Sequence, residues 1–402
     1  MSMLSLEEAQ RHILEGLDPL PPERRPVLDA VGRVLAEAVE ARYDLPGADN
    51  SAMDGYAVRA ADLEGPPVRL RVIGVVPAGG RAERPLGPGE AYRIFTGAPV
   101  PPGADAVVRQ EDTDLGEREV EVRCAVEPGQ NIRPRGDDVP AGERLLTPGT
   151  ILGPAEVAAL FAHGRSEVEV VRRPRVAIFA TGAELARVDE VLPPGRIIDS
   201  NSPAIAAACH EAGAEPLLLP ATGDDPGAIE ARIDAAGGCD VIVSSGGVSV
   251  GEFDYVRKVY EARGLAARLW RVAIKPGKPL LFGRLGRQLV FGLPGNPVSV
   301  LATFEAFVRP ALRRLAGYRD VHRPRLRARL RREAPAARGR TNLLWGRLER
   351  GPEGWEAEVR PRQASHRIRG ALEADCLVPV PPDTPLPAGR EVEVWALRLP
   401  GR

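Results

Sequence analysis

The residues most suited to chemistry in this sequence begin with a turn rich in glycine and serine. Residues 244–251 read S-S-G-G-V-S-V-G and follow the short apolar run Val241–Val243. Backbone without a Cβ can approach a ligand closely, and several N–H groups of such a turn can converge on an anion. The turn matches neither the G-x-x-x-x-G-K-[ST] loop nor the G-x-G-x-x-G fingerprint. It therefore predicts a phosphate cradle of another type, with a purely structural turn as the alternative.

Two lysines lie in a rigid loop further along the chain. Lys275 and Lys278 belong to the stretch K-P-G-K-P, and Lys258 is the only other lysine among the 54 basic residues. Proline restricts the backbone of this loop, so both cations are held in a narrow range of positions. We expect them to bind an anion, and a solvated loop is the alternative interpretation.

Three carboxylates are predicted to reach the same region. Glu184 follows the strand-like stretch VAIFATG, Asp224 lies between a predicted strand and a helix, and Asp254 follows the glycine-rich turn. Mg²⁺ is bound in proteins by carboxylates together with substrate phosphate oxygens. The three side chains thus predict a divalent cation site beside the phosphate cradle. For Glu184 the alternative is a place in the first turn of a helix.

Alternating strands and helices must position these residues. From Arg175 onward, apolar strand-like runs alternate with helical stretches of about 10–15 residues, which is the pattern of a doubly wound parallel sheet. Such sheets bind ligands at the carboxyl ends of their strands, where the turn, the lysines and the carboxylates would all lie. The expected helix caps are each directly followed by a proline, and they are Ser200–Ser202, Asp225 and Asn296.

The N-terminal part predicts a helical domain interrupted by a β-rich module. Ser5–Glu8 has the capping-box pattern that starts a helix. Further helices are expected over Val27–Val39 and from Gly153 to Phe161. Residues 44–138 instead hold short strand-like runs separated by polar loops. We interpret this stretch as a module inserted into a mostly helical domain.

The C-terminal part predicts a small all-β domain from about residue 322 onward. In its first strand, apolar residues alternate with a row of arginines, namely Arg325, Arg327, Arg329 and Arg331. A solvated strand face is the expected explanation of this arginine row, and contact with an anionic partner is the alternative.

Composition and charge exclude several classes of protein. With 402 residues the chain is long enough for several domains. A net charge of −1 offers no electrostatic basis for binding nucleic acid or a membrane surface. No apolar run approaches the roughly 20 residues of a membrane-spanning helix. Because the N-terminus lacks the pattern of a secretory signal and the cysteines are scattered, we expect free thiols and a cytoplasmic location.

Seven motifs, in this order along the chain, resemble those of the molybdopterin molybdenumtransferase family, to which a C-terminal domain of gephyrin is related. They are DNSAMDGYAV (49–58), FTGAPVPPGADAVVRQE (95–111), GQNIRPRGDD (129–138), ATGAEL (180–185), SSGGVSVGEFD (244–254), KPGKP (275–279) and GLPGNPVS (292–299). The resemblance runs from about residue 5 to residue 400. The chain departs from the family pattern at Arg271, where relatives carry lysine, and after Ser365, where S-G and A-N pairs are missing.

The resemblance implies an α/β multidomain fold. A helical domain 1 would be split between residues 1–43 and 139–172, with a β-rich domain 2 inserted at 44–138. A doubly wound parallel-sheet, pterin-binding domain 3 would cover 173–320, and a C-terminal β-barrel domain 4 would cover 321–402. The resemblance also implies a homodimer with its active site at the subunit interface, between the α/β domain of one subunit and the inserted module of the other.

The resemblance further implies an activity. Enzymes of this family insert molybdenum from molybdate into adenylylated molybdopterin, and they cleave the pyrophosphate link and release AMP with the help of a divalent cation. The expected cofactor is therefore Mg²⁺, the substrates are molybdate and adenylylated molybdopterin, and a further partner is the molybdopterin adenylyltransferase. The alternatives are a molybdopterin-binding adenylyltransferase, a gephyrin-like scaffold, and tungstate as the oxyanion.

The matching motifs imply the site residues. The implied catalytic positions are Asp54, Thr96, Asp138, Glu184, Asp224, Asp254 and Lys275, of which Glu184, Asp224 and Asp254 would hold the metal. The implied substrate-binding positions are Arg133, Ser245, Gly246, Gly247, Ser249, Gly251, Arg271, Lys278, Pro294, Asn296 and Ser365. The resemblance implies that Asp54, Thr96 and Asp138 come from the partner subunit.

Overall fold

The computed structural model describes residues 3–186, 188–248, 255–361 and 363–399. The chain divides into two compact units. The first, called the sheet-and-barrel unit, comprises residues 1–24, 32–36 and 169–402. The second, called the inserted unit, comprises residues 25–31 and 37–168.

The described residues form more strands than helices. The helices are α1 (Leu6–Leu14), α2 (Pro154–Ala162), α3 (Asn201–Ala212), α4 (Pro226–Ala235), α5 (Tyr255–Ala262), α6 (Pro297–Thr303), α7 (Arg309–Leu315) and α8 (Arg369–Leu372). The strands are β1 (Pro22–Pro26), β2 (Val39–Glu40), β3 (Asn50–Ser51), β4 (Gly55–Val58), β5 (Val68–Val76), β6 (Glu90–Ile94), β7 (Ala106–Arg109), β8 (Glu119–Val122), β9 (Ile132–Arg133), β10 (Arg144–Leu146), β11 (Glu167–Val171), β12 (Arg175–Ala180), β13 (Leu185–Ala186), β14 (Ile197–Ile198), β15 (Glu215–Leu218), β16 (Val241–Ser245), β17 (Ala266–Arg271), β18 (Ile274–Lys275), β19 (Pro279–Leu285), β20 (Gln288–Leu293), β21 (Arg325–Leu330), β22 (Thr341–Gly351), β23 (Gly354–Val359), β24 (Cys376–Val380) and β25 (Glu391–Ala396). Short 3-10 helices cover Val27–Ala30, Ala60–Leu63 and Gln110–Asp112, and a π-helical turn covers Phe304–Val308.

A six-stranded sheet forms the centre of the sheet-and-barrel unit, in the order β15-β12-β16-β20-β19-β17. In the inner strand β16, Val241 and Val243 belong to the apolar core on one face, and Ile242 belongs to the core on the other. Helix α3 contributes Ile205 to the first core, and α4 contributes Ile229 to the second. The prediction of a strand buried on both faces is confirmed, and helices cover both sides of the sheet.

One strand near the side of this sheet, β19, runs against all the others. Strands β15, β12, β16 and β20 are parallel, whereas β19 is antiparallel to both β20 and β17. Only Gly286 and Arg287 connect β19 to β20, and Gly286 has a φ of 58°. A two-residue connection joins antiparallel neighbours, since parallel strands need a long crossover. The doubly wound sheet is thus confirmed over four strands. The prediction that all of its strands are parallel is wrong at β19.

The predicted starts of three helices are found where the sequence places them. Residues Ser5–Glu8 form the capping box of α1. The Asp225 carboxylate accepts the Ala228 N–H at 2.7 Å and caps α4. Asn296 occupies the cap position of α6, although its side chain makes no capping hydrogen bond.

The expected cap of α3 is confirmed in its position, because Ser200 is the N-cap residue of this helix. The side chain of Ser200 makes no capping hydrogen bond. Asp199 Oδ1 instead accepts the N–H groups of Asn201 and Ser202, each at 3.0 Å. A carboxylate one residue upstream therefore takes the place of the serine hydroxyls.

The helix expected over Val27–Val39 is wrong. The chain forms only the 3-10 helix Val27–Ala30 there, and Val39 begins β2. Gly32 follows the 3-10 helix with a φ of 77°, a left-handed conformation that commonly ends a helical segment. The helix expected from Gly153 is confirmed as α2, with Gly153 at its cap position.

The inserted unit contains a five-stranded sheet in the order β7-β4-β6-β5-β8. All four residues of β4 are buried. Tyr56 and Val58 pack into one apolar core and Ala57 into another, so this strand has apolar contacts on both faces. The β-rich character predicted for this stretch is confirmed.

The C-terminal strands close into a five-stranded barrel. Strand β22 pairs with β23 and β24, β23 pairs with β21, and β25 joins β21 to β24. Leu344, Val378 and Val394 belong to its apolar core. The predicted C-terminal β-barrel is confirmed.

The arginine row on β21 is paired with glutamates of neighbouring strands and loops. The ion pairs are Arg325–Glu393 at 2.8 Å, Arg327–Glu391 at 3.5 Å, Arg329–Glu353 at 2.8 Å and Arg331–Glu356 at 2.6 Å. Exposed pairs of this kind add little stability. Their charges are balanced within the barrel, so the row has no need of an anionic partner.

All four cysteines are among the described residues and are unpaired. Burial raises the pKa of the Cys209 and Cys376 thiols to about 12, which keeps them protonated and unreactive. The expectation of free thiols is confirmed. Separately, none of the helices in the described part of the chain has the length and apolar character needed to cross a membrane.

A buried carboxylate organises one edge of the inserted unit. Glu90 accepts hydrogen bonds from both terminal nitrogens of Arg84 at 2.7 Å, from Arg71, and from the Gly87 N–H at 3.0 Å. These bonds, those from Arg84 above all, lower the pKa of Glu90 to about 2. The stabilisation that follows from this shift is present above the ordinary pKa of 4.5 and is lost as the pH falls toward 2.

We therefore expect Glu90→Gln to lower the Tm at pH 7, with the difference from wild type narrowing as the pH falls from 4.5 toward 2. Thermal unfolding followed by circular dichroism over this pH range measures the effect. Glu64→Gln, at an exposed position of the same unit, is the control and should leave the Tm unchanged. A difference that persists at pH 2 would show that the glutamine acts by shape and not by charge.

Candidate active site

Two adjoining clefts lie at the carboxyl edge of the parallel strands. The first, called the carboxylate cleft, has a volume of about 350 Å³ and is lined by residues of the loops after β12, β14, β15, β16 and β20. The second, called the basic cleft, has a volume of about 680 Å³ and lies between the K-P-G-K-P loop and the barrel. Pro279, Pro294 and Asn296 line both clefts. The two clefts therefore share a wall.

The glycine-rich turn forms part of the carboxylate cleft. Gly246 and Gly247 have φ values of 91° and 62°. A Cβ on Gly246 would lie 2.3 Å from the carbonyl oxygen of Thr181, and one on Gly247 would lie 2.4 Å from Cγ2 of Val256. Both positions therefore require glycine. The Gly246 N–H donates to Leu293 O at 3.1 Å, so this amide is already used within the protein.

Thr181 is a residue of this cleft that sequence reasoning missed. Its side chain is only 5 % exposed, and its Oγ1 has no hydrogen-bond partner among the described residues. The same Oγ1 would lie 2.9 Å from a Cβ on Gly247. A buried hydroxyl without a partner is costly, and here it faces the glycine turn. Its position directly after the strand VAIFA was the available sequence signal.

Two of the three predicted metal ligands line the carboxylate cleft, namely Glu184 and Asp224. The Glu184 carboxylate lies over the backbone of Gly182, where a Cβ would be 2.6 Å from Oε2. Within the described residues, no group of three His, Cys, Asp or Glu side chains forms a metal site. The third predicted ligand, Asp254, lies outside the described residues. The donor set that is present consists of carboxylates, which fits a hard cation such as Mg²⁺.

The basic cleft contains both predicted lysines. Lys275 and Lys278 line it together with Arg340, and none of the three has an acidic partner within the part of the chain that the structure describes. Arg332 and Arg360 also line the cleft, but they are paired with Glu358 and Glu373. Glu333 also lines this cleft, so the three cations face one carboxylate, and the excess of positive charge favours an anionic ligand.

Arg340 is a second residue that sequence reasoning missed. It lies more than 60 positions after Lys275, in the loop before β22, and no local pattern links the two. The parallel pairing of Ile274–Lys275 with Thr341–Asn342 brings them together. Ser299 and the predicted Ser365 line the same cleft, and the Ser365 carbonyl accepts the Val298 N–H at 3.1 Å.

Two predicted residues of the inserted unit are in direct contact. The N–H and the hydroxyl of Thr96 both donate to Asp54 Oδ1, each at 2.8 Å. These bonds lower the pKa of Asp54 and keep it ionised. Arg133 is paired with Asn50 between β9 and β3, and the Asp138 N–H donates to Leu45 O at 2.9 Å. The side chains of Arg133 and Asp138 are exposed.

The remaining predicted residues differ in their availability to a ligand. Ser245 is only 1 % exposed, and its hydroxyl donates to Pro294 O at 3.2 Å. Arg271 is exposed at the end of β17, opposite Pro279, and is not among the described residues that line either cleft. Ser249 and Gly251 lie outside the described residues.

Three family models match the chain in order. The MoeA N-terminal region (domain I and II) matches residues 4–164, the probable molybdopterin binding domain matches 177–314, and the MoeA C-terminal region (domain IV) matches 327–397. Together they span nearly the whole chain.

Known proteins resemble the chain over similar lengths. Molybdopterin molybdenumtransferase 2 of Mycobacterium tuberculosis is 39% identical over 406 residues, covering 98% of this chain and 100% of the relative. Molybdopterin molybdenumtransferase of Nostoc sp. is 42% identical, covering 79% of this chain and 75% of the relative. The crystal structure of the molybdopterin biosynthesis moeA protein of Pyrococcus horikoshii is 35% identical with a TM-score of 0.86, covering 98% of this chain and 99% of that one. The chain belongs to the molybdopterin molybdenumtransferase family.

The close approach of Gly246 to Thr181 leads to a prediction. Gly246→Ala should lower the free energy of unfolding more than Gly264→Ala, measured by denaturant titration. Gly264 has a similar φ of 87° with no atom near its Cβ position, so alanine there should cost only the roughly 1–2 kcal/mol of a left-handed residue. Gly246→Ala adds an overlap with the Thr181 carbonyl and should also weaken binding of inorganic phosphate. Equal losses in the two variants would show that the turn has room for a side chain.

Proposed function

We propose that this protein inserts molybdenum from molybdate into adenylylated molybdopterin, with cleavage of the pyrophosphate link and release of AMP. The observation that carries the proposal is the shared wall of the carboxylate cleft and the basic cleft. The reaction needs a pyrophosphate and an oxyanion side by side, and the two clefts offer a place for each. The family membership of the chain supports the same activity.

The carboxylate cleft suits the pyrophosphate. The glycine turn and the Thr181 hydroxyl supply donors, while Glu184 and Asp224 would hold a divalent cation, which we propose is Mg²⁺. Such a cation, when bound, neutralises charge that develops on the phosphate oxygens. Asp254 is the proposed third ligand. Without a cation the two carboxylates would repel the substrate, so these residues require one if the cleft is to hold a pyrophosphate.

The basic cleft suits the oxyanion. Lys275, Lys278 and Arg340 would surround molybdate with positive charge, and the hydroxyls of Ser299 and Ser365 would donate to its oxygens. Arg133 and Arg271 remain predicted anion ligands. Tungstate, an oxyanion of nearly the same size as molybdate, would fit the same cleft.

AMP release from adenylylated molybdopterin tests the activity. The wild type should release AMP only when both molybdate and Mg²⁺ are present. Asp224→Asn should lower the rate at least about 10-fold at fixed Mg²⁺, with partial recovery at higher Mg²⁺, because a metal ligand has lost its charge.

Asp225→Asn is the matched control for this experiment. It changes the neighbouring carboxylate, and asparagine is as good a helix cap as aspartate, so rate and stability should stay at the wild-type level. Tight binding of the pterin without AMP release would instead indicate a carrier or scaffold and would overturn the proposal.

We also propose that the enzyme is a homodimer, in which Asp54, Thr96, Arg133 and Asp138 complete the active site of the partner subunit. The exposure of Thr96, Arg133 and Asp138 in the inserted unit is compatible with this role. The molybdopterin adenylyltransferase is a proposed further partner, because its product is the substrate here. The unpaired thiols support a reducing compartment, and we propose the cytoplasm.

Mixing inactive variants tests the shared site. Dimers formed from equal amounts of Asp54→Ala and Asp224→Ala subunits should recover about a quarter of wild-type AMP release, because about half of randomly assorted dimers are mixed and each holds one intact site. Glu184→Ala mixed with Asp224→Ala is the control and should recover none, since both changes fall in the same half-site. Absence of recovery in the first mixture, with dimers present, would place the whole site in one subunit.

A further inference from the structure

One side chain links the loops that form the carboxylate cleft. Asn201, the first residue of α3, donates from Nδ2 to Ser245 Oγ at 2.9 Å and to Gly295 O at 2.8 Å. Its own N–H donates to Asp199 Oδ1 at 3.0 Å. The residue is therefore held at its backbone, and its amide group connects the end of β16 to the loop after β20.

The loops that Asn201 connects are also bonded to each other. The Ser245 hydroxyl donates to Pro294 O at 3.2 Å, and the Gly246 N–H donates to Leu293 O at 3.1 Å. A Cβ on Gly295 would lie 3.7 Å from the Gly246 Cα, so the two backbones are in contact. Asn201 and Ser245 thus form one small network that sets the separation of these loops.

The chemistry of this network requires a neutral amide. Its NH₂ group supplies two donors, one for a hydroxyl and one for a carbonyl. An ionised aspartate of the same shape has no donor and would place a negative oxygen against the Gly295 carbonyl. Alanine would leave the carbonyl and the hydroxyl without their partner.

We propose that Asn201 is a positioning residue of the molybdenum insertion site. It acts through the shared wall, because the loop that it holds contains Pro294 and Asn296, which line both clefts. A residue that touched only one substrate would affect one binding constant. Loss of the Asn201 amide should instead weaken the binding of both the nucleotide end of the substrate and the oxyanion. This inference rests on the proposed function.

The test compares two variants of Asn201 with a control that has the same chemistry elsewhere. Gln288, at the opposite end of strand β20, donates from its side-chain amide to Ala236 O at 2.9 Å and to Cys239 O at 3.0 Å. Gln288→Ala therefore removes a two-carbonyl amide bridge from the same sheet, away from both clefts.

The measurements are the Kd for AMP in the presence of Mg²⁺, the KM for molybdate in the AMP-release assay, and the Tm. Asn201→Ala should raise both constants roughly 10-fold, since small misplacements at an active site have effects of this size or larger. Asn201→Asp should raise them further. Gln288→Ala should lower the Tm by about as much as Asn201→Ala does, but it should leave both constants unchanged.

A double variant tests whether the network acts as a unit. Ser245→Ala combined with Asn201→Ala should bind AMP no more weakly than the worse single variant, because both changes break the same chain of bonds. Independent, multiplicative losses would contradict the network.

Two negative results remain distinct. In the first, the wild type releases AMP while Asn201→Ala, like Gln288→Ala, lowers only the Tm and leaves both constants unchanged. In that case Asn201 has a structural role and the inference is overturned. An Asn201→Asp variant that binds better than Asn201→Ala would overturn it as well, because shape and not the donors would then matter. If the wild type itself releases no AMP, the proposed function is overturned and this inference with it.

Discussion

A row of main-chain hydrogen bonds continues across the sheet beyond the ends of its parallel strands. The Gly182 N–H donates to Thr222 O at 3.0 Å, the Thr181 N–H donates to Ser245 O at 2.8 Å, and the Gly246 N–H donates to Leu293 O at 3.1 Å. These bonds keep four strand ends in backbone contact before the chain turns away. Thr181, Glu184 and Asp224 in the carboxylate cleft depend on this row, because each lies within a few residues of it.

Much of the fold follows from local patterns. The apolar run Val241–Val243, the capping box at Ser5–Glu8 and the Asp225 cap each depend on neighbours in sequence, and the structure has all three. The reversed strand β19 was missed because a two-residue hairpin is a weaker signal than a long alternation of strands and helices. The failed helix after Val27 is similar, since Gly32 outweighs the helical spacing around it.

The sequence predicted which residues belong to the site better than it predicted the contacts that these residues make. Motifs place Glu184, Asp224 and Lys275 at strand ends, and the sheet then brings them to one edge. The sequence does not reveal which hydrogen bonds are made within the protein. Ser245 was therefore predicted to bind substrate, although its hydroxyl donates to Pro294 O. Arg340 reaches the basic cleft through strand pairing between distant segments. The spacing of residues along the chain does not indicate this pairing.

The common wall of the two clefts provides a physical route by which their proposed occupants would influence each other's binding. A ligand that orders Pro294 and Asn296 from one side leaves less conformational entropy for the second ligand to lose from the other. Such coupling is reciprocal. The factor by which the bound nucleotide end would raise the affinity for the oxyanion equals the factor by which the bound oxyanion would raise the affinity for the nucleotide end. Once AMP has left, this coupling would be lost, so the basic cleft would bind an oxyanion more weakly until the next adenylylated substrate is bound.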